Sequence, residues 1–153
     1  MNPAEALSSK LGDAVTETVT EGPHPFTRVT AEKIVEAARV LRDECGFDML
    51  HQVSGVDMKD KFEVVYHFTR VEGECAFYAI KVDADHDNPV VPSLANEWRA
   101  ANWAERETWD LCGIRFDGHP HHFRILLPED WVGHPLRKDY EMPTEYHGID
   151  CTE

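Results

Sequence analysis

Residues 47–82 read FDMLHQVSGVDMKDKFEVVYHFTRVEGECAFYAIKV, and the fold turns on this stretch. In Phe62–Arg70, Phe62, Val64, Tyr66 and Phe68 alternate with Glu63, His67 and Thr69, the two-residue period of a half-buried strand. Phe47–Val56 before it and Cys75–Val82 after it are strand-like as well. The turn through Gly73 is too short for a crossover, so neighbouring strands must run antiparallel, and a meander is expected.

Upstream, Thr30 stands where it can cap a helix running to about Cys45, with Ile34, Ala38 and Leu41 on one face and Gly46 placed to end it. Residues 1–25, closed by Gly22-Pro23-His24-Pro25, are expected to be a mobile N-terminal arm. Downstream of the acidic loop Asp83–Asn88, Pro92-Ser93 opens a short helix around Leu94–Ala100. Asn102 and Glu105 have capping-box spacing for a second helix that Gly113 ends. Phe123–Leu127 could add a last strand, and beyond Trp131 the residues Gly133, Pro135 and Pro143 favour an extended chain. The expected class is α+β: an antiparallel-rich sheet of about four strands with helices packed against it and an extended C-terminal tail. Residues 1–25 form the arm, 26–130 the domain and 131–153 the tail.

A chain of 153 residues, 42% hydrophobic and 10% aromatic, suits one domain with a true core. No run approaches the roughly 18 apolar residues of a membrane span. Residues 1–25 lack a basic n-region, an apolar core and Arg-rich amphipathic patterning, so no secretory or mitochondrial leader is expected. The net charge of −14 argues against nucleic acid and against anionic lipid headgroups as partners. The charge is uneven. Across 115–140, Arg115, Arg124, Arg137 and Lys138 balance Asp117, Glu129, Asp130 and Asp139, a neutral patch that suits a protein contact.

The chemistry of single residues points away from a reaction centre. Cys45, Cys75, Cys112 and Cys151 are widely separated, without zinc or iron–sulfur spacing, and read as free thiols in a reducing cytoplasm. The run Asp83–Asp87 opens like an EF-hand loop, but Asn88 replaces the turn glycine and Leu94 the bidentate Glu. His119, His121, His122 and His134 lack HExxH spacing. Two of them sit in Gly-His-Pro, where a ring can bond backbone freed by the turn. No nucleophile elbow, Walker loop or GxGxxG is present, and a pairing of Cys112 with His119 would rest on sequence proximity alone. Glu105 and Glu107 cannot share a helix face as an acid/base pair. Glu105, Glu107 and Asp110 are instead expected to bind arginines folding back from the next segment, such as Arg115 or Arg124.

Residues 105–140, ERETWDLCGIRFDGHPHHFRILLPEDWVGHPLRKDY, followed by Tyr146-His147-Gly148-Ile149, closely resemble the C subunit of NADH-quinone oxidoreductase, the respiratory complex I 30 kDa subunit family. Cys112 stands where that family often has an aromatic residue, and His122 where it has Leu or Asn. The resemblance implies a structural subunit of the peripheral arm, on the cytoplasmic face of the bacterial inner membrane. It implies packing against the quinone-binding D subunit, with the cluster-bearing B and I subunits as further partners. FMN, iron–sulfur clusters and quinone would be bound by other subunits and none by this chain. Glu105, Arg106, Glu107, Asp110, Gly113 and Arg124 would organise the fold. Gly133, His134, Pro135, Leu136, Arg137, Lys138, Asp139 and Tyr140 would lie along the partner. The equivalent subunit of a membrane-bound hydrogenase or ferredoxin-linked complex is one alternative, and a histidine metalloenzyme another.

Overall fold

A computed structural model describes residues 2–73 and 75–152. In chain order its elements are α1 (Pro3–Leu11), β1 (Val15–Val19), β2 (Phe26–Val29), α2 (Ile34–Cys45), β3 (Met49–Asp57), β4 (Lys61–Arg70), β5 (Ala76–Asp85), β6 (Val90–Pro92), α3 (Arg99–Cys112), β7 (Arg115–Asp117), β8 (Glu145–Tyr146) and β9 (Ile149–Asp150). The fold is α+β, with three helices and a five-stranded mixed sheet in the order β1-β2-β5-β4-β3.

The meander is present, with β4 between β3 and β5 and antiparallel to both. Its alternation sets the two faces. Phe62, Val64, Tyr66 and Phe68 from β4 and Tyr78, Ile80 and Val82 from β5 enter one core with Ile34, Ala37, Ala38 and Leu41 of α2. The other face carries Ser54, Glu63, Val65, His67, Phe77, Ala79 and Lys81, the register partners on the opposite parity. β5 runs to Asp85, so the first part of the expected acidic loop is strand.

Where the arm is expected, Pro3–Leu11 is helical and Val15–Val19 is a strand. Asn2 Oδ1 accepts from the Ala4 N–H at 3.0 Å, Pro3 sits in the first turn, and the helix buries Ala4, Ala6, Leu7 and Leu11. β1 then pairs with β2, and β2 runs parallel to β5, adding two strands to the three of the meander. Burial of an apolar helix face, absent from a charge-based reading of the segment, supplies the order.

The expected helix from Thr30 to Cys45 opens as a 3-10 turn over Ala31–Lys33, and no Thr30 side-chain cap forms. One helix, α3, replaces the two read around Leu94–Ala100 and Asn102–Gly113. It starts at Arg99, with Trp98 as N-cap and no side-chain cap bond, so Asn102 lies inside it. Phe123–Leu127 is not a strand, because the amides of Ile125, Leu126 and Leu127 are taken by the Asp110 carboxylate.

Candidate partner interface

α3 packs across β3, with Thr108 Oγ1 3.3 Å from the Val53 carbonyl, and it presents two buried carboxylates to the segment that follows. Asp110 is the hub. Its Oδ2 accepts from three consecutive amides, Ile125 at 3.1 Å, Leu126 at 2.7 Å and Leu127 at 3.0 Å. Its Oδ1 accepts from Arg124 Nη1 at 2.6 Å, and Arg124 Nη2 reaches the carbonyls of Trp131 and Gly133, each at 3.0 Å. Burial alone would raise the Asp110 carboxyl. The three amides and the guanidinium outweigh it and hold the group below the usual carboxylate range. Backbone that has no ladder partner is thus satisfied from one helix residue.

Glu105 does something different from the sequence expectation. Among the described residues no arginine that follows it in sequence pairs with it. Ser93 Oγ lies 2.5 Å from Oε2, and the Leu94 amide donates to Oε1 at 2.6 Å, so Glu105 fastens the end of β6. Burial pushes its pKa up to about 7, against the pull of those two donors. Glu107 is exposed and makes no ion pair among the described residues, and Arg115 is exposed as well. Arg106, largely buried, donates through Nε to the Phe123 carbonyl at 3.1 Å, with its guanidinium 4.0 Å from the Phe123 ring centroid and 5.1 Å from that of Trp103.

The rings of His119, His122 and His134 serve backbone. His119 Nε2 lies 3.0 Å from the Asn102 carbonyl and must be the protonated nitrogen, while its Nδ1 accepts from the His121 amide at 3.0 Å. His122 Nε2 accepts from the Phe116 amide at 3.2 Å, and burial followed by the nearby His119 lowers its pKa to about 4. His134 Nδ1 donates to the Asp110 carbonyl at 2.9 Å. The Trp109 ring meets His122, His134 and Arg124 together.

Two glycines mark where the tail folds against α3 and against itself. Gly113 has φ +79°, and a Cβ there would stand 2.7 Å from the His134 ring. Gly133 has φ +85°, and its Cβ would stand 2.8 Å from the Tyr140 ring. Only glycine meets both demands, the left-handed backbone and the missing volume. Pro135 follows, half-buried. The Leu136 amide then donates to the Leu111 carbonyl at 2.8 Å. Arg137 lies over Phe62 and donates to Asp139, and the Lys138 amide donates to Asp57 Oδ2 at 2.8 Å. Trp131 Nε1 donates to the Tyr140 hydroxyl at 3.1 Å.

Asp57, His86 and Asp139 place ligand-type atoms within 4.8 Å of one another. Both Asp57 oxygens are already taken, by the amides of Lys59 and Lys138, and Asp139 pairs with Arg137, so the cluster works as a latch on the tail. The part played by Asp57 and His86 is invisible in sequence, where they lie far from the tail they hold.

Among its charged and polar side chains, this well-held segment also leaves apolar ones outside. Val132 is 86%, Met142 65% and Leu136 60% exposed, and Trp103, Phe123, Leu126 and Ile149 are exposed too. An irregular segment fixed in shape with apolar side chains outward is the kind of surface that protein contacts use. Comparison with known proteins shows the family. Residues 27–146 match the model of the respiratory-chain NADH dehydrogenase 30 kDa subunit, and the chain belongs to that family, which includes the C subunit of NADH-quinone oxidoreductase. The C subunit from Roseiflexus sp. (strain RS-1) is 45% identical over 149 residues, spanning 92% of this chain and 83% of that protein. The C subunit from Moorella thermoacetica is 43% identical over 123 residues, spanning 79% and 82%. Among solved structures, a trypsin-resistant fragment of Nqo5 superposes with TM-score 0.66 at 25% identity, over 79% of this chain and 99% of the fragment. A chain of the membrane-bound sulfane sulfur reductase, an archaeal respiratory membrane complex, gives 0.69 at 25% identity, over 91% and 83%. No helix among the described residues is long and apolar enough to cross a membrane.

Proposed function

We propose that this chain is a non-catalytic structural subunit of the peripheral arm of a proton-translocating NADH:quinone oxidoreductase. Its C-terminal segment docks on the quinone-binding D subunit and helps keep the cluster-bearing B and I subunits in register, while FMN, iron–sulfur clusters and quinone stay on other chains. One observation carries this: the Asp110–Arg124 hub spends its hydrogen bonds on shaping a segment whose Val132, Leu136 and Met142 side chains face outward. A reaction centre would aim polar groups into a cleft. Here they are consumed by backbone. Gly133, His134, Pro135, Leu136, Arg137, Lys138, Asp139 and Tyr140 form the docking edge.

The test replaces Val132 and Leu136 together by Asp. Both are exposed, so the isolated domain should keep its thermal midpoint, while a tagged copy should no longer carry the D subunit through purification. Undiminished recovery of that subunit would refute the reading. The likeness to a chain of the sulfane sulfur reductase favours a second reading, the equivalent subunit of a complex fed by another donor. Co-purification of a flavin- and NADH-binding subunit separates the two.

A further inference from the structure

Glu105 and Asp110 are both buried on α3, but they are not treated alike. Asp110 has a guanidinium, Arg124, at 2.6 Å, whereas Glu105 accepts from the neutral Ser93 hydroxyl and Leu94 amide. A base stands near it. His119 Nε2 lies 4.0 Å from Glu105 Oε2, and neither side chain has any exposure to solvent. The Nε2–H is directed elsewhere, to the Asn102 carbonyl at 3.0 Å, while Nδ1 accepts from the His121 amide. One donor therefore has two acceptors to choose between, and the charge on Glu105 decides. A carboxylate binds an N–H roughly twice as strongly as a neutral acceptor does. The other partners are indifferent to the choice. The Leu94 amide donates to either form of Glu105, and the Ser93 hydroxyl accepts from the acid or donates to the carboxylate. The Asn102 carbonyl lies inside α3 and keeps the helix amide four residues on when His119 leaves it.

We propose that Glu105 and His119 form a pH-operated switch: when Glu105 ionises, the His119 Nε2–H leaves the Asn102 carbonyl for the carboxylate, and residues 119–123 loosen. The released proton goes to solvent, and the ring stays neutral and only changes partner. Reaching bonding distance takes a shift of about 1 Å at Nε2. The ring is rigid, so the same shift draws Nδ1 from the His121 amide. Phe123 follows, since its amide donates to the His121 carbonyl at 3.1 Å, and its ring is exposed. The surrounding groups place the event near neutrality. Burial pushes Glu105 up to about 7. Burial outweighs the Asn102 carbonyl at His119, and with Arg106 and His121 it lowers the ring's pKa, which keeps it an uncharged donor. On β4, burial and then the Glu105 charge hold Tyr66 well above its usual range, so it stays protonated. His122, whose ring centroid is 5.5 Å from that of His119, is lowered to about 4 and is neutral too. Arg106 is engaged by the Phe123 carbonyl. The device belongs to this chain and is independent of what the C-terminal segment meets.

The test follows the whole purified chain by NMR from pH 5 to pH 8. Protection of the His121 amide, corrected for the intrinsic pH dependence of exchange, should fall at least about fivefold over that range. The His119 Nε2–H resonance should move downfield as the carboxylate takes it. In Glu105→Gln, which cannot ionise, both observables should stay flat. In His119→Phe, which keeps a ring and removes the donor, the Glu105 carboxyl midpoint should rise by about one pH unit. A His121 amide equally protected at pH 5 and pH 8 would overturn the inference. So would a change that survives in Glu105→Gln, which assigns it to another group, or a Glu105 midpoint unmoved by His119→Phe.

Discussion

Asp110 and Arg124 are joined side chain to side chain at 2.6 Å, and between them they hold the amides of residues 125–127 and the carbonyls of Trp131 and Gly133. One carboxylate and one guanidinium replace the ladder that an irregular segment lacks.

Arg124→Ala should destabilise the isolated domain by about 3 kcal/mol, since it strands a fully buried carboxylate. Arg124→Lys should recover little, because one ammonium cannot span Asp110 and both carbonyls as the planar fork does. Denaturant midpoints give the first number, and hydrogen exchange at residues 125–127 shows whether the segment opens. A lysine variant as stable as the parent would remove the fork from the account.

Glu105 gives a pH signature. Its folded pKa, about 7, lies above the ordinary carboxylate value, so its favourable contribution is complete below pH 4.5 and is lost as pH rises through about 7. Glu105→Gln keeps an acceptor for the Leu94 amide and has no charge to bury. Relative to the parent it should gain on the order of 3 kcal/mol between pH 5 and pH 8. Asp110 acts with the opposite sign: its depressed pKa gives stability that disappears as the solution is made strongly acid. A parent–Gln difference independent of pH would mean that Glu105 is ionised throughout.

Gly113→Ala and Gly118→Ala separate strain from collision. Both glycines have φ +79°, so each alanine should lose about 1–2 kcal/mol to the left-handed backbone. Nothing lies within 4 Å of a Cβ at Gly118, whereas His134 stands at 2.7 Å from one at Gly113. Thermal unfolding should therefore rank Gly113→Ala well below Gly118→Ala, with the His134 resonances displaced only in the former. Equal losses would show that His134 moves freely.

Arg106→Ala should lower stability by about 2 kcal/mol, from one hydrogen bond and two ring contacts around a largely buried side chain. Glu107→Ala, at the next position but on the exposed side of α3, should lie within about 0.5 kcal/mol of the parent. If the two variants proved equal, α3 would be a solvated face.

The meander is legible in sequence because β4 alternates without exception on its core side, and a period-two pattern has one structural answer. β1 and β2 are not, since Val15–Val19 and Phe26–Val29 are short, half-polar and interrupted by the Gly-Pro stretch, and the pairing of β2 with β5 is long-range. The apolar run Phe123–Leu127 reads as strand until Asp110 claims its amides, an interaction no local window contains. Asp110 with Arg124 is foreseeable from a helix of acids followed by basic, unladdered chain. The partners of Glu105 are not, because Ser93 and Leu94 are brought to it by β6, ahead of the helix, and not by the sequence that follows it.

The two ends of the tail are fastened at unequal sequence distance. Arg124 reaches Asp110 across 14 residues, and Lys138 reaches Asp57 across 81. Closing the longer loop costs about 1.5 kcal/mol more in chain entropy, which the Leu136 amide on Leu111, Arg137 over Phe62 and the Lys138 amide on Asp57 together offset. The segment is thus rooted on α3 by local chain and fastened at its far end by residues distant in sequence. Residues 136–140 therefore find their seat only where β3 already carries Asp57, so the course of the tail depends on the sheet as well as on α3.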